Sequence, residues 1–220
     1  FGNLTHIFSS DGPLDQIAIH VEGRIETQDT SGVLRGAAEP FPPSLYLRST
    51  TLTQSDKTMR ELSRTIHDEA RGDALGFLHA LMVELNERMT FDTDPTHAGT
   101  SAIEAFALGQ GVCQDFAHIF IACARAMNIP ARYAAGHFLR ADGKVHQEAG
   151  HAWAEAYVPH IGWVGFDAAN GLCTTSSHVR VAMALDALGA APVRGSRFGG
   201  GTEMLSVNVL VDHAGLQTQS

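Results

Sequence analysis

The chain has 220 residues, a net charge of −9 and a hydrophobic content of 44%, which is typical of a water-soluble globular protein with its own core. Because the net charge is negative and lysine and arginine form no run, the composition argues against nucleic acid and anionic membranes as partners. No stretch reaches the roughly 18 consecutive apolar residues that a membrane-spanning helix needs.

Three cysteines stand in the chain, Cys113, Cys123 and Cys173, and an odd number cannot form a fully paired disulfide framework. This usage favours a reducing compartment, so we expect a cytoplasmic protein. The chain begins with Phe1 rather than Met, and a missing native N-terminus leaves export open. The sequence leaves the oligomeric state undecided.

The first 45 residues are predicted to be rich in β structure. Between Asp15 and Glu26, apolar residues alternate with polar or small ones, which is typical of a half-buried strand. The apolar positions are Ile17, Ile19, Val21 and Ile25. Prolines at positions 40, 42 and 43 then interrupt the chain. We therefore predict a β-rich N-terminal region at 1–45 and a second domain, with a C-terminal β tail, at 46–220.

Helical periodicity begins near Ser55 and continues, with short interruptions, to about residue 127. It predicts a first helix with Ser55 or Asp56 as its N-cap, and further helices at about 73–89, 101–108 and 113–127. The residue before Pro130 resists the helical conformation and ends the last helix. Strand-like segments follow at 131–139, 150–158, 162–167, 179–185 and 205–211. Helices followed by strands predict an α+β fold rather than a doubly wound parallel sheet.

Cys113 lies at the start of one predicted helix, directly after a glycine-containing segment. A helix N-terminus carries partial positive charge and unbonded N–H groups, which favour a thiolate and can receive a developing oxyanion. Gly109 and Gly111 are expected to leave room for a substrate carbonyl. The alternative is a buried, inert cysteine, the usual fate of a free thiol. Cys123, inside an apolar stripe, is assigned to that alternative.

A thiolate nucleophile needs a base, and the segment from His151 to Asp167 offers one. Alternating residues on both sides of a turn predict a hairpin, and a hairpin centred on Pro159 would place His151 opposite Asp167. The carboxylate would then hold one tautomer of the imidazole and stabilise its charged form. A slip of one residue would move Asp167 to the other face. The alternative is a purely structural hairpin.

Further residues near these two motifs have weaker assignments. The backbone N–H of Cys113 is the first expected oxyanion donor, and Gln110 is either a second donor or a solvated side chain. Trp153 is either a wall of the cleft or core packing. Glu155 is either an orienting group or a rim carboxylate. His118 is interpreted as a satisfied helix histidine.

A metal site is the rival interpretation, because several potential ligands are close in sequence. They are His137, His146, His151, His160 and Cys173. Their spacing matches neither His-Glu-x-x-His nor Cys-x-x-Cys, and the chain contains no EF-hand loop. The glycines at 199–201 lack the Lys-Ser/Thr of a phosphate-binding loop and are expected to form a turn. We therefore predict no metal and no cofactor.

Two segments together carry a resemblance to a known family. They are GVCQDFAHIFIACARAMNIPARYAAGHF and GHAWAEAYVPHIGWVGFDAANG. The chain resembles the transglutaminase-like superfamily, in its bacterial cysteine protease branch, closely over about residues 95–175. Residues 1–45 resemble the end of a larger β-rich N-terminal domain, and 192–211 resemble the family's C-terminal tail.

The resemblance implies a papain-like α+β fold, with the cysteine helix packed on an antiparallel sheet. It implies Cys113 as nucleophile, His151 as base and Asp167 as third member of a triad, in a catalytic domain at 46–220. The family's D-P-x-N pattern reads D-A-A-N here, which keeps Asp167 and Asn170 but changes the turn between them.

The family covers amide hydrolysis, deamidation, and acyl transfer from glutamine to amines, all through an acyl-enzyme. We favour a thiol-dependent amide hydrolase, a cysteine protease or peptidase acting on a protein or peptide, because water is always present whereas an amine acceptor needs its own pocket. The alternatives are a transglutaminase-type acyltransferase or deamidase, and a non-catalytic binding module that kept the fold.

Overall fold

The computed structural model describes residues 1–147, 149–196, 198–199 and 204–213. Two 3-10 turns, at Pro43–Leu47 and Thr51–Thr53, lead into the helical part of the chain. Four α-helices follow: α1 (Lys57–Glu69), α2 (Ala74–Arg88), α3 (Ala102–Leu108) and α4 (Cys113–Ala126). None of the helices in these residues combines the length and the apolar run required to cross a membrane.

The strands lie mostly after the helices. They are β1 (Thr90–Phe91), β2 (Gln110–Gly111), β3 (Ala131–Phe138), β4 (His146–Gln147), β5 (His151–Val158), β6 (Gly162–Asp167), β7 (Leu172–Cys173), β8 (His178–Ala184) and β9 (Val209–Leu210). The main sheet is antiparallel, in the order β7-β6-β5-β3-β8. Strands β1 and β2 form a parallel pair, and β4 and β9 an antiparallel pair. The predicted α+β class is confirmed.

Each of the first three helices begins at a polar residue that caps it. The Asp56 carboxylate accepts the Met59 N–H at 2.8 Å, which selects Asp56 over Ser55 as the N-cap. Asp73 caps α2 through the Leu75 N–H, and Ser101 begins α3 with a capping box. These side chains satisfy N–H groups that the helix itself leaves unbonded.

Helix α4 packs on the sheet through small side chains of β5. Ala152, Ala154 and Ala156 all belong to the buried core, and a methyl side chain lets a helix backbone approach a strand closely. Farther along α4, Phe120 stacks on Phe166 of β6 with ring centroids 5.1 Å apart. This packing fixes α4, and with it Cys113, relative to strands β5 and β6.

The β5–β6 hairpin differs in register from the prediction. Val158 pairs with Gly162 and Glu155 with Gly165, so the hairpin is centred on His160 instead of Pro159. His160 has a φ of 69°, and this left-handed residue allows a three-residue loop. The register is therefore displaced by two residues. Because side chains alternate with a period of two, the displacement leaves Asp167 on the same face as His151.

The strand predicted between Asp15 and Glu26 is not formed. No described residue pairs with this segment, and Ile17 and Val21 are 56% and 88% exposed. The alternating pattern is present, but a strand without a neighbour has no ladder of hydrogen bonds to hold it. The described N-terminal region meets the sheet farther along, where Val33 bridges to Val164. The domain boundary near residue 45 stays a prediction.

The C-terminal strand predicted at 205–211 is shorter than expected. Only Val209–Leu210 is a strand, and it pairs with His146–Gln147. The partner strand is itself two residues long, so the remaining residues have no ladder to extend. Residues 197 and 200–203, within the resembling C-terminal tail, lie outside the described residues. The turn expected at the glycines at 199–201 falls partly on them and stays a prediction.

Arg132 on β3 ties the N-terminal segment to the sheet. It is fully buried, and its guanidinium donates to both Glu39 oxygens at 2.6 and 2.9 Å. Its Nε donates to Glu155 at 2.7 Å, and the group lies 3.8 Å from the ring centroid of Trp163. Because a buried charge is costly unless it is paired, these contacts depend on one another.

We expect Arg132→Ala to lower the free energy of unfolding by about 3–5 kcal/mol, because it leaves a buried carboxylate incompletely paired. Glu155 would keep only Arg180 as a cationic partner. Urea unfolding followed by circular dichroism measures the change. Arg140→Ala is the control, since it removes only an exposed pair with Asp142 and should cost less than about 1 kcal/mol. Equal losses in the two variants would contradict this account.

Candidate active site

Cys113 is the first residue of α4 and is partly exposed. Hydrogen bonds to both backbone groups of Val112, its N–H and its carbonyl, fix the start of the helix. The Val112 N–H donates to Asp115 at 2.8 Å, and the Val112 carbonyl accepts the N–H groups of Asp115 and Phe116. The Cys113 N–H belongs to the first turn, where N–H groups have no partner within the helix. The Cys113 thiol therefore stands beside an N–H group that donates to no backbone acceptor among the described residues.

The two glycines before Cys113 have local structural roles that differ from the predicted one. Gly109 is the left-handed C-cap of α3, with a φ of 66°, a conformation that favours glycine. At Gly111, a Cβ atom would lie only 2.5 Å from an Asp115 carboxylate oxygen. Turn geometry and packing therefore explain both residues without any appeal to substrate access.

Asp115 acts as a cap within the helix start. Its Oδ2 accepts the Val112 N–H and, at 2.7 Å, the hydroxyl of Thr96. The residue is 1% exposed, and burial raises the pKa of Asp115 while these two hydrogen bonds oppose that rise. One carboxylate oxygen of Asp115 is thus occupied by the Val112 N–H and the Thr96 hydroxyl.

The structure brings His151 and Asp167 into direct contact. The distance between His151 Nε2 and Asp167 Oδ2 is 2.6 Å. The His151 side chain is 12% exposed, whereas that of Asp167 is fully buried. Since Nε2 is used toward Asp167, Nδ1 is the ring nitrogen left for proton exchange with another group.

Asp167 is held by hydrogen bonds from three side chains that meet at one oxygen. Besides His151, Asn170 Nδ2 donates to Oδ2 at 2.7 Å and His178 Nε2 lies 3.1 Å from it. The Asn170 backbone N–H donates to Oδ1 at 3.3 Å. Burial alone would raise the pKa of Asp167, but these hydrogen bonds and the charge of His151 hold it well below its usual range. The carboxylate is therefore ionised.

The turn that carries Asn170 is anchored by α2. The amide of Asn86 donates to the carbonyl oxygens of Ala168 and Ala169 at 2.9 and 3.1 Å. These alanines occupy the middle of the D-A-A-N sequence, where the family pattern has a proline. Hydrogen bonds from a helix thus hold a turn that lacks the rigid proline ring.

Cys113 and His151 are electrostatically coupled. Burial lowers the pKa of His151, and this is the largest single influence on it. The hydrogen bond to Asp167, the influence of the Cys113 thiol and the charges of both groups outweigh burial and raise the pKa to about 10. The imidazole therefore retains its proton beside the Asp167 carboxylate.

His178 joins the site without having been predicted. It begins β8, where it lies opposite Phe138 of β3, and it is 9% exposed. Its place depends on a pairing between distant strands, and neither its spacing from Asp167 nor its neighbours in sequence signals the contact.

The potential ligands of the rival metal interpretation are not gathered into one site. In the part of the chain that the structure describes, the one group of three convergent ligand atoms belongs to His151, Asp167 and His178. The Thr175 N–H donates to His178 Nδ1 at 3.0 Å, so a neutral His178 carries its proton on Nε2. Hydrogen bonds therefore account for the convergence of these three side chains.

Gln110 and Trp153, the weaker site candidates, differ in their exposure to solvent. Gln110 is exposed on β2, and its side chain makes no hydrogen bond to a described residue. Trp153 is 2% exposed and lies edge-on to His178, with ring centroids 5.3 Å apart. Trp153 is therefore packed inside the protein beside the histidines, and a role for Gln110 stays a prediction.

Glu155 and His118 are committed elsewhere. Glu155 binds Arg132 and Arg180, so it is a buried ion-pair partner and not a rim group. His118 is fully buried, and its Nε2 accepts the Ala187 N–H at 3.1 Å. Burial lowers the pKa of His118 to about 4. Its Nδ1 has no partner among the described residues, so the histidine is only half satisfied.

Comparison with known proteins fits this geometry. Residues 60–168 match the model of the transglutaminase-like superfamily, a range that contains Cys113, His151 and Asp167. Over these residues the chain belongs to the transglutaminase-like superfamily. The resemblance carried by the two sequence motifs is thereby confirmed.

Two curated relatives of this superfamily member are uncharacterized proteins. One from Mycobacterium leprae is 34% identical over 118 residues, which cover 52% of this chain and 42% of that protein. One from Mycobacterium tuberculosis is 30% identical over 115 residues, which cover 48% and 37%. The chain therefore spans less than half the length of these relatives.

A solved structure supports the fold. A provisionally named cysteine protease from Cytophaga hutchinsonii is similar with a TM-score of 0.60 and 25% identity. The match covers 86% of this chain and 63% of that one. It confirms the predicted papain-like α+β fold, with the cysteine helix packed on an antiparallel sheet.

The coupling between Cys113 and His151 predicts a specific titration. In the wild type, His151 should titrate with a midpoint near the pKa of about 10. Cys113→Ala removes one of the two acidic neighbours and should lower that midpoint, which NMR of the histidine Cε1–H resonances measures. Cys173→Ala, at the other partly exposed thiol, should leave it unchanged. An unchanged midpoint in Cys113→Ala would show that the thiol does not act on this histidine.

Proposed function

We propose that this protein is a thiol-dependent amide hydrolase, a cysteine protease or peptidase that acts through an acyl-enzyme. One observation carries the proposal. The His151 imidazole lies 2.6 Å from the buried Asp167 carboxylate, while the same ring is coupled to a thiol at a helix N-terminus. A nucleophile, a base and an orienting acid in this arrangement suit acyl transfer.

The first step uses the thiolate of Cys113. Its sulfur attacks the carbonyl carbon of an amide, and a C–S bond forms as the carbonyl π electrons move onto oxygen. The backbone N–H of Cys113 is suitably placed to donate to that oxyanion. The Asp167 carboxylate stabilises the positive charge of the His151 imidazolium throughout this step.

The second step releases the amine. As the tetrahedral intermediate collapses, the C–N bond breaks and His151 Nδ1 gives its proton to the leaving nitrogen. An acyl-enzyme thioester remains on Cys113, and His151 is now neutral with its Nε2–H still directed to Asp167. The ring is then ready to act as a base.

The third step regenerates the enzyme. His151 Nδ1 takes a proton from water, whose oxygen attacks the thioester carbonyl. The C–S bond breaks, the carboxylic acid product leaves, and the imidazolium–thiolate pair is restored. The similarity to the provisionally named cysteine protease favours water as the acceptor.

We also propose that the protein is cytoplasmic, as expected from its cysteine usage.

A peptide library incubated with the enzyme, with and without a primary amine, tests the proposal by mass spectrometry. We expect cleaved peptides in both conditions. Cys113→Ala should lower the cleavage rate by at least about 1,000-fold, because it removes the nucleophile from a group of residues that act as a unit. Cys173→Ala should keep the wild-type cleavage rate.

The other outcomes would overturn this assignment. Amine adducts or deamidated glutamines without cleavage would indicate a transglutaminase-type acyltransferase or deamidase. No reaction with any peptide by the wild type would favour a binding module. Full activity in Cys113→Ala would show that Cys113 is not the nucleophile.

A further inference from the structure

We propose that His178 is a positioning residue, which holds the Asp167 carboxylate in the orientation that His151 requires. The inference rests on the proposed function, since Asp167 matters in this way only if His151 moves protons. His178 itself touches neither the thiol nor a substrate, and its action passes through Asp167.

The direction of the hydrogen bond is fixed by the loop before β8. The backbone N–H of Thr175 donates to His178 Nδ1 at 3.0 Å, so this nitrogen is an acceptor. In the neutral ring the proton must then reside on Nε2. That nitrogen lies 3.1 Å from Asp167 Oδ2, so His178 is a donor to the carboxylate in one defined tautomer.

The carboxylate needs this donor because of where it lies. Asp167 is fully buried, and a buried charge with too few hydrogen bonds is unfavourable. Asn170 reaches Asp167 from its own turn, three residues away. His178 reaches it from β8, the strand at the opposite edge of the sheet from β7. Donors from separate elements restrict rotation of the carboxylate more than neighbours on one turn.

The ring of His178 is itself held by aromatic packing. Phe138 lies with its centroid 4.7 Å from His178 and 5.2 Å from His151, and Trp153 meets His178 edge-on. Phe138 therefore packs beside both histidines, whose own ring centroids lie 6.0 Å apart. These ring contacts, together with the Thr175 hydrogen bond, hold the His178 ring with Nε2 toward Asp167.

Three variants separate the two hydrogen bonds of His178. Gln places an N–H donor near the position of Nε2 and can bond Asp167. Asn places an oxygen near the position of Nδ1, so it can accept from Thr175 but cannot reach Asp167. Phe keeps the ring volume and has neither group. A merely structural residue would be rescued by Asn, and a positioning residue by Gln.

We expect kcat for an amide substrate to fall by about 10- to 100-fold in His178→Phe and His178→Asn, the usual cost of losing an orienting partner, with KM unchanged. His178→Gln should recover most of kcat. The three thermal unfolding midpoints are measured in parallel. Recovery by Asn instead of Gln, or wild-type kcat in His178→Phe, would overturn the inference.

A second readout separates this inference from the proposed function. The rate at which iodoacetamide alkylates Cys113 near neutral pH depends on the imidazolium–thiolate pair and needs no substrate. It should be highest in the wild type and His178→Gln, and lower in His178→Asn and His178→Phe. If His151→Ala fails to slow alkylation, the proposed function itself fails. If His151→Ala slows it and all His178 variants match the wild type, only the role of His178 is wrong.

Discussion

The buried carboxylate of Asp167 is the constraint on which the site depends. Removal of this charge from water is costly, and the structure offsets the cost with hydrogen bonds from His151, Asn170 and His178. These donors come from the start of β5, the turn after β6 and the start of β8. Three strand ends must therefore meet at one point, and the geometry of the sheet is tied to the chemistry of the site.

The other half of the site depends on how closely a helix approaches the sheet. Alanines on β5 allow α4 to pack against it, and Asp115 closes the first turn by binding the Val112 N–H. Cys113 is thus the first residue of a helix that is held in place by buried side chains along most of its length. Because Phe120 and Phe166 pack together, the contact that stabilises the core also fixes α4 against β6.

Much of this arrangement follows from local sequence patterns. Helical periodicity and caps placed all four helices, and alternation placed His151 and Asp167 on one face of a hairpin. The exact register did not follow, because it depends on the left-handed φ of His160, and only the two-residue period preserved the pairing. His178 was missed because its contact with Asp167 depends on the antiparallel pairing of β3 with β8. The N-terminal strand was wrong because an alternating pattern does not supply a partner.

The central claim is that Cys113 carries an acyl group under the control of His151 and Asp167. The most direct test is acid quenching of the protein after brief reaction with an activated acyl ester, followed by mass mapping of its peptides. We predict the acyl mass on Cys113, little on Cys173, and a much slower appearance in His151→Ala. An acyl group on Cys173, or labelling of Cys113 at the same rate without His151, would contradict the account.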